Sequence, residues 1–230
     1  MKYLLLIALI LPAFGAEPNV ISEKEKAEGW QLLFNGKDLK NWQLFNSDKG
    51  PGPGWIIEDG ILTKQKGKFG GSIVTSEKFE NYILEWEWKI SPKGNNGVKY
   101  LVDDKRPGAP GPEYQMLDDS NHPEKRKGEK RLTAALYDIR PAAADKKLKP
   151  AGEWNTSKIV VKGKRVEHWL NGELALDYEL GSPELLAEIQ NSKFKNAAGF
   201  GEKTTGRIML TDHGDTCSYR NIKLLPIQPE

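Results

Sequence analysis

Apolar and polar residues alternate along most of this chain in short runs, interrupted by Gly, Pro and Asn about every 8 to 15 residues. That spacing predicts a β-sandwich or barrel. The strongest run is YILEWEWKI (82–90), which puts Tyr82, Leu84, Trp86, Trp88 and Ile90 on one face and Ile83, Glu85, Glu87 and Lys89 on the other. GVKYLVD (97–103) alternates Val98, Tyr100 and Val102 with Lys99, Leu101 and Asp103. Further strands are expected at 31–34, 55–58, 61–64, 72–75, 113–117, 154–162, 165–170, 173–178, 207–211 and 218–226. Gly163-Lys164 and Asn171-Gly172 supply tight turns. One short helix is expected over 182–194, capped by Ser182 with Pro183 in its first turn. A sheet with one dry and one polar face either meets bulk water or holds a polar ligand on that face.

Residues 103–112 and 119–131 read as long loops, and loops of that length in a compact β domain are commonly functional or mobile. No composition shift or repeat divides the chain, so one domain is expected over 28–230, preceded by a linker over 17–27. Residues 1–16, MKYLLLIALILPAFGA, carry a basic start, an apolar run and a small-x-small site at Ala13 and Gly15. This is the pattern of a cleaved secretory signal peptide, and the run falls short of the about 20 residues that span a bilayer. Export to a bacterial periplasm or medium is expected, with no membrane insertion of the mature chain.

Composition narrows the partners. Apolar residues make up 38%, with 7 Trp, 7 Tyr and 7 Phe, enough for a sizeable core. The formal charge of +2 balances 34 basic against 32 acidic residues, which argues against nucleic acid or an anionic membrane and suits a neutral polar ligand such as a sugar. The lone Cys217 precludes an internal disulfide and reads as a small buried apolar residue.

The candidate chemistry centres on EYQMLDDSNHPE (113–124). As a strand, its first residues place Glu113 and Gln115 on one face, about 7 Å apart, with Tyr114 and Met116 on the other. Asp118 and Asp119 then suit turn capping, and His122 precedes a proline at the loop's rim. His168 shares a face with Val166 and Leu170 and reads as a core histidine with a satisfied partner. His213 falls in a turn, TDHGD, where Asp212, His213 and Asn221 suggest a structural hydrogen-bond cluster. No HxH or HExxH spacing, Ser-centred elbow or P-loop is present.

Several segments together resemble the secreted 3-keto-disaccharide hydrolase domain family: QLLFNGKDLKNWQ (31–43), GGSIVTSEKFENYILEWEWKISPKGNNGVKYLV (70–102), GPEYQMLDD and NHP (111–123), AALYDIRP (134–141), PAGEWNTSKIVVKGKRVEHWLNG (150–172) and GRIMLTDHGDTCSYRNIKL (206–224). The match runs in order along nearly the whole chain after the leader. It implies an all-β, concanavalin-like jelly-roll sandwich with one short helix and a sugar site on its concave face. The implied chemistry exploits a ketone at C3, which acidifies the C2 proton so that the C1 substituent leaves by elimination and water adds back. Such a site needs a base, stabilisation of the C3 oxygen and a proton donor for the leaving group. Glu113, Glu87, Lys99, Tyr137 and His122 are the catalytic candidates, and Gln115, Asp118 and Trp154 the sugar-binding ones. A divalent metal held by Glu113 and a histidine is a further possibility. Two alternatives stand beside this: a non-catalytic carbohydrate-binding module, and an ordinary glycoside hydrolase using paired carboxylates.

Overall fold

The computed structural model describes residues 17–228, so the leader expected over 1–16 lies outside the described residues. The elements run α1 (Glu23–Glu28), β1 (Gln31–Leu32), β2 (Trp42–Leu44), β3 (Trp55–Glu58), β4 (Ile61–Lys64), β5 (Ile73–Thr75), β6 (Tyr82–Ile90), β7 (Asn95–Val102), β8 (Glu113–Leu117), β9 (Asn155–Lys162), β10 (Arg165–Leu170), β11 (Glu173–Glu179), α2 (Pro183–Gln190), β12 (Arg207–Leu210) and β13 (Cys217–Pro226). They form two antiparallel sheets, a jelly-roll sandwich. One sheet has eight strands in the order β11-β10-β9-β6-β13-β4-β3, with β1 added alongside β13. The other has five, in the order β2-β5-β12-β7-β8. No described helix is long and apolar enough to cross a membrane.

Period-two alternation builds the core as expected. Every second residue of β6 from Tyr82 to Ile90 is buried, and those between are half-buried. Trp86 of the larger sheet packs edge-on against Tyr114 of the smaller one, with ring centroids 5.0 Å apart, and its Nε1 points at Met116 Sδ at 3.4 Å. A polar chain also bridges the sheets: Trp88 Nε1 donates to Ser157 Oγ (2.8 Å), which donates to the Tyr114 hydroxyl (2.8 Å). His168 is fully buried with both ring nitrogens engaged, by the Tyr100 hydroxyl at 2.7 Å and the Ala134 carbonyl at 2.9 Å. Burial lowers its pKa to about 4. The unfolded chain therefore takes up a proton that the folded chain refuses, and His168 costs stability as pH falls from about 6.5 toward 4. Cys217 is buried and its thiol is pushed up to about 12 by that burial.

Three local readings are corrected. The stretch read as a linker contains α1, which a capping box between Ser22 and Glu25 starts and Gly29, at φ 97°, stops. Glu25 then pairs with Lys223 of β13, docking the helix on the larger sheet. Strand β2 escaped notice because three residues are too few to show a period. In β7 the alternation slips at Leu101, whose φ is +50°. Leu101 turns into the core, and Val102 moves to the opposite face beside Val74 and Met209.

Candidate active site

The sandwich has two outer faces, and the sequence-predicted residues divide between them. Trp86 and Tyr114 meet in the core, so Glu87, the next residue of β6, and Glu113, the residue before Tyr114 in β8, point away from each other on opposite sides of the molecule.

On the larger sheet, Glu87 accepts from Arg220 Nε and Nη2 at 2.9 and 2.7 Å and from Asn221 Nδ2 at 2.6 Å. The Arg220 guanidinium in turn lies 4.2 Å from the centre of the Trp154 ring. A cleft of about 500 Å³ opens beside Glu85, Glu87, Arg220 and Lys223. Its carboxylates Glu85 and Glu87 are already paired, Glu85 with Lys223 at 3.4 Å and Glu87 with Arg220, and it holds no imidazole. Glu87 and Trp154 therefore leave the Glu113 group.

On the smaller sheet, Glu113 is 3% exposed, which makes its charge unusual. Cross-strand pairing sets Lys99 opposite it, and Lys99 Nζ lies 3.4 Å from Glu113 Oε2. His213 Nε2 lies 3.3 Å from the other oxygen, Oε1. Burial alone raises a carboxyl pKa, but here Lys99, then the His213 contact, then Lys193 outweigh it and hold Glu113 near 2. Because Glu113 is an anion at any ordinary pH, it fixes the proton of His213 on Nε2 and leaves Nδ1 as the basic nitrogen. Nδ1 makes no hydrogen bond among the described residues.

The chain positions this group by close fits. Gly97 of β7 is the floor under the Glu113 side chain: a Cβ there would lie 2.3 Å from Oε1. The NNG of 95–97 thus has a packing reason. Thr211 Oγ1 bonds Asn96 Oδ1 and the Gly97 carbonyl, which ties the end of β12 to the same floor. The His213 turn is then clamped by its neighbour. Asp212 accepts from the N–H groups of Gly70 and Gly71 at 3.0 and 2.9 Å and from Gly214 at 2.9 Å, and it pairs with the fully buried Lys64 at 3.0 Å. The expected cluster of Asp212, His213 and Asn221 does not form: Asp212 is the anchor, His213 turns to Glu113, and Asn221 sits across the molecule on Glu87.

Tyr137 lies in the turn after the 119–131 loop, next to the isolated bridge of Leu136 with Tyr114, and its backbone N–H donates to the Glu113 carbonyl at 3.0 Å. Its hydroxyl donates to Glu124 Oε1 at 3.0 Å and accepts from Arg131 Nη1 at 2.9 Å. Burial, then the Glu124 contact, raises its pKa, so the phenol keeps its proton. Arg131 pairs with both Glu124 and Asp138, and Asp138 Oδ2 accepts the Lys193 backbone N–H at 2.7 Å. Lys193 is thereby placed with its ammonium 4.2 Å from the Tyr137 ring centre and 4.9 Å from that of Phe194. The residue is exposed, yet this enclosure lowers its pKa, with Lys99 and Arg131 adding to the effect and Glu113 opposing it.

The remaining candidates have other contacts. Gln115 is buried, its amide donating to Asn95 Oδ1 (3.2 Å) and the Arg131 carbonyl (3.3 Å). Asp118 caps the turn as one alternative had it, accepting from the N–H groups of Lys93, Ser120 and Asn121. His122 caps the one-turn helix Pro123–Lys127, with Nδ1 accepting from Glu124 N at 3.0 Å. The structure thus groups Glu113, Lys99 and Tyr137 and adds His213, Lys193 and Arg131. The signal for His213 was the TDHGD turn, rich in capping residues around one imidazole. Lys193 left no signal, because it lies past the helix in a polar stretch. Among the described residues no three of His, Cys, Asp and Glu converge as a metal-holding group, and the Glu113 oxygen not facing His213 is taken by an ammonium.

The close fit at Gly97 supplies a test. Gly97→Ala is expected to displace the Glu113 carboxylate, which should cut kcat/KM by about 10²-fold if Glu113 takes part in the reaction, as a misplacement of about 1 Å can. Circular dichroism should show the sheets intact. Full activity in this variant would mean that Glu113 does not lie over Gly97 during the reaction.

Residues 29–225 match a family of 3-keto-alpha-glucoside-1,2-lyase-like domains. A 3-keto-disaccharide hydrolase of Bacteroides thetaiotaomicron is 35% identical over 91% of this chain and 82% of its own length. The crystal structure of a protein of Parabacteroides distasonis designated a glycosyl hydrolase superposes with a TM-score of 0.82 at 36% identity, covering 92% of this chain and all of that one. A second such structure from the same species gives 0.67 at 26% identity, covering 86% and 99%.

Proposed function

The chain belongs to the family of 3-keto-alpha-glucoside-1,2-lyase-like domains, a carbohydrate-active hydrolase of the glycoside-cleaving kind, and we propose that it cleaves 3-keto-glycosides by elimination and rehydration at the Glu113 site. The observation that carries this reading is the buried Glu113 carboxylate paired with the exposed His213 imidazole, with the ammonium groups of Lys99 and Lys193 beside it.

His213 Nδ1 takes the C2 proton, Glu113 holding the ring and stabilising the imidazolium that forms. The electron pair moves into the C2–C3 bond, and the C3 carbonyl oxygen becomes an enolate, which the Lys99 ammonium stabilises. As the carbonyl re-forms, a C1–C2 double bond forms, the C1–O bond breaks and the aglycone oxygen departs. Lys193, an ammonium of lowered pKa, gives that oxygen its proton. Water then adds across C1–C2: its hydroxyl goes to C1, the His213 imidazolium, after exchange with solvent, gives a proton to C2, and water's other proton restores the Lys193 ammonium, which regenerates a 3-keto sugar and the starting enzyme. Lys99 as charge stabiliser and Lys193 as proton donor are roles that this chemistry needs and that binding of a neutral sugar does not.

An ordinary glycosidase mechanism fits less well. It requires a carboxylic acid that stays protonated near neutral pH, paired with a second carboxyl about 5–9.5 Å away. Glu113 and Glu124 are both held near 2, and Asp212 is also lowered, by neighbouring cations and hydrogen bonds. None can be that acid. Chelator is expected to leave turnover intact, because ammonium groups supply the positive charge.

The test is isotopic. Cleavage of a 3-keto-α-glucoside in D₂O is expected to leave deuterium at C2 of the early 3-keto sugar product, beyond the exchange seen without enzyme. Protium retained at C2 throughout turnover would rule out elimination.

A further inference from the structure

Next to Lys193 the surface sinks into a cavity of about 410 Å³, within the range of small-ligand sites. Its walls are the loop of Arg106, Gly108 and Ala109 on one side and Lys193, Asn196 and Ala198 on the other. Lys193 thus has a double position. Its charge acts on Glu113, and its side chain borders the cavity. A sugar ring over the Glu113 group would therefore direct its C1 substituent toward this space.

The cavity's charge is one-sided. Both charged residues in its lining are cations, Arg106 and Lys193, and no carboxylate lines it. The nearest counter-charge to Arg106 is Asp103, whose Oδ2 lies 3.6 Å from Nε, too far for a hydrogen bond. Asp103 also serves Lys203, at 3.1 Å, so one carboxylate faces two cations. The Arg106 Nε and Nη1 atoms are buried with no hydrogen-bond acceptor. The guanidinium is held by its cation–π contact with Phe200, 5.8 Å from the ring centre, and by the tight backbone turn through Asp103 and Ala109. A guanidinium whose buried donors are unpaired gains from an acceptor that a small movement of its partly exposed side chain brings within reach. Apart from Asn196, the rest of the wall, Pro107, Gly108, Ala109, Ala197 and Ala198, is small and apolar.

From this we infer that the cavity is the leaving-group subsite of the reaction proposed above and that Arg106 makes it selective for an aglycone bearing an anionic group, such as a carboxylate on a flat, compact scaffold. The small residues accept the scaffold, and Arg106 receives the charge. The inference rests on the elimination reading for its placement next to C1, but the preference for an anion is separable from turnover.

The experiment compares two near-isosteric substrates, the 4-carboxyphenyl and 4-carboxamidophenyl 3-keto-α-glucosides. It is paired with calorimetric binding of the free probes 4-hydroxybenzoate and 4-hydroxybenzamide. The wild-type enzyme is expected to favour the carboxylate by about tenfold in kcat/KM, a size that a partly screened charge pair can supply. The preference should shrink as salt is raised. Arg106→Gln is expected to bring the ratio close to one, and Arg106→Lys to keep part of it. Calorimetry should show the same order for the two probes. Equal kcat/KM for both substrates, or a preference unchanged in Arg106→Gln, overturns the inference and leaves the cleavage reading standing. If neither substrate is cleaved but 4-hydroxybenzoate binds through Arg106, the anion site stands and the cleavage reading falls. No cleavage and no difference between the probes overturns both.

Discussion

Glu113→Gln is expected to lower kcat/KM by about 10²- to 10³-fold, the range seen when a positioned acid–base or electrostatic group is removed. The change keeps shape and removes one charge. It leaves Lys99, His213 and Lys193 facing one another without the anion that gathers them. An amide can still accept a hydrogen bond from imidazole, so the ring is not lost; what goes is the stabilisation of imidazolium as the C2 proton arrives. The loss should therefore fall mainly on kcat, with KM changed little. Stability should drop by roughly 1–3 kcal/mol, since partners of a buried carboxylate are left unmatched. Its pH dependence has a definite sign. The folded pKa, near 2, lies below the usual value of 4.5, so the stabilisation by Glu113 is complete above about pH 4.5 and is lost as pH falls toward 2. The acid limb of the wild-type rate profile above pH 4 accordingly does not report Glu113. Wild-type kcat in Glu113→Gln, measured on folded protein, would remove this residue from the mechanism.

Much of the architecture was legible in the chain because sandwich strands must alternate. The run from Tyr82 to Ile90 could only be a strand with a tryptophan-rich inner face, and Asn171-Gly172 could hardly be other than a hairpin turn, both residues having positive φ. Glu113 was legible for the same reason, as the outward neighbour of an inward Tyr114. What alternation cannot convey is which sheet a strand joins. Glu87 and Glu113 each point outward, and only the strand order reveals that they face away from each other. The mistaken pairing of these two acids follows directly from that gap. Lys99 faces Glu113 across a local pair of strands, β7 with β8, and not Glu87, which lies on the other sheet. Lys193 and His213 reach Glu113 from 80 and 100 residues away in sequence, brought there by the Asp138 and Asp212 anchors. No periodicity carries contacts of that range. Leu101 shows the remaining limit: a residue with its backbone in the left-handed region shifts the faces of everything after it, and nothing in VKYLVD announces the shift.

The second large effect concerns the substrate itself. In the proposed elimination, an unoxidised glycoside has no carbonyl to acidify C2–H and so offers His213 no proton that it can remove. Lys99 then has no enolate to stabilise. Binding energy cannot compensate, because the site stabilises a charge that the parent sugar never develops. Glu113 and Glu124 cannot take over by protonating the glycosidic oxygen, being anions held by cations. The most direct measurement is therefore a side-by-side assay of one 3-keto-α-glucoside and its unoxidised parent, with the purified protein, in the presence and absence of chelator. Cleavage of the keto sugar in both conditions, with no detectable turnover of the parent, is the predicted result; release of the aglycone from the parent at a comparable rate, or binding of the keto sugar without turnover, would contradict it.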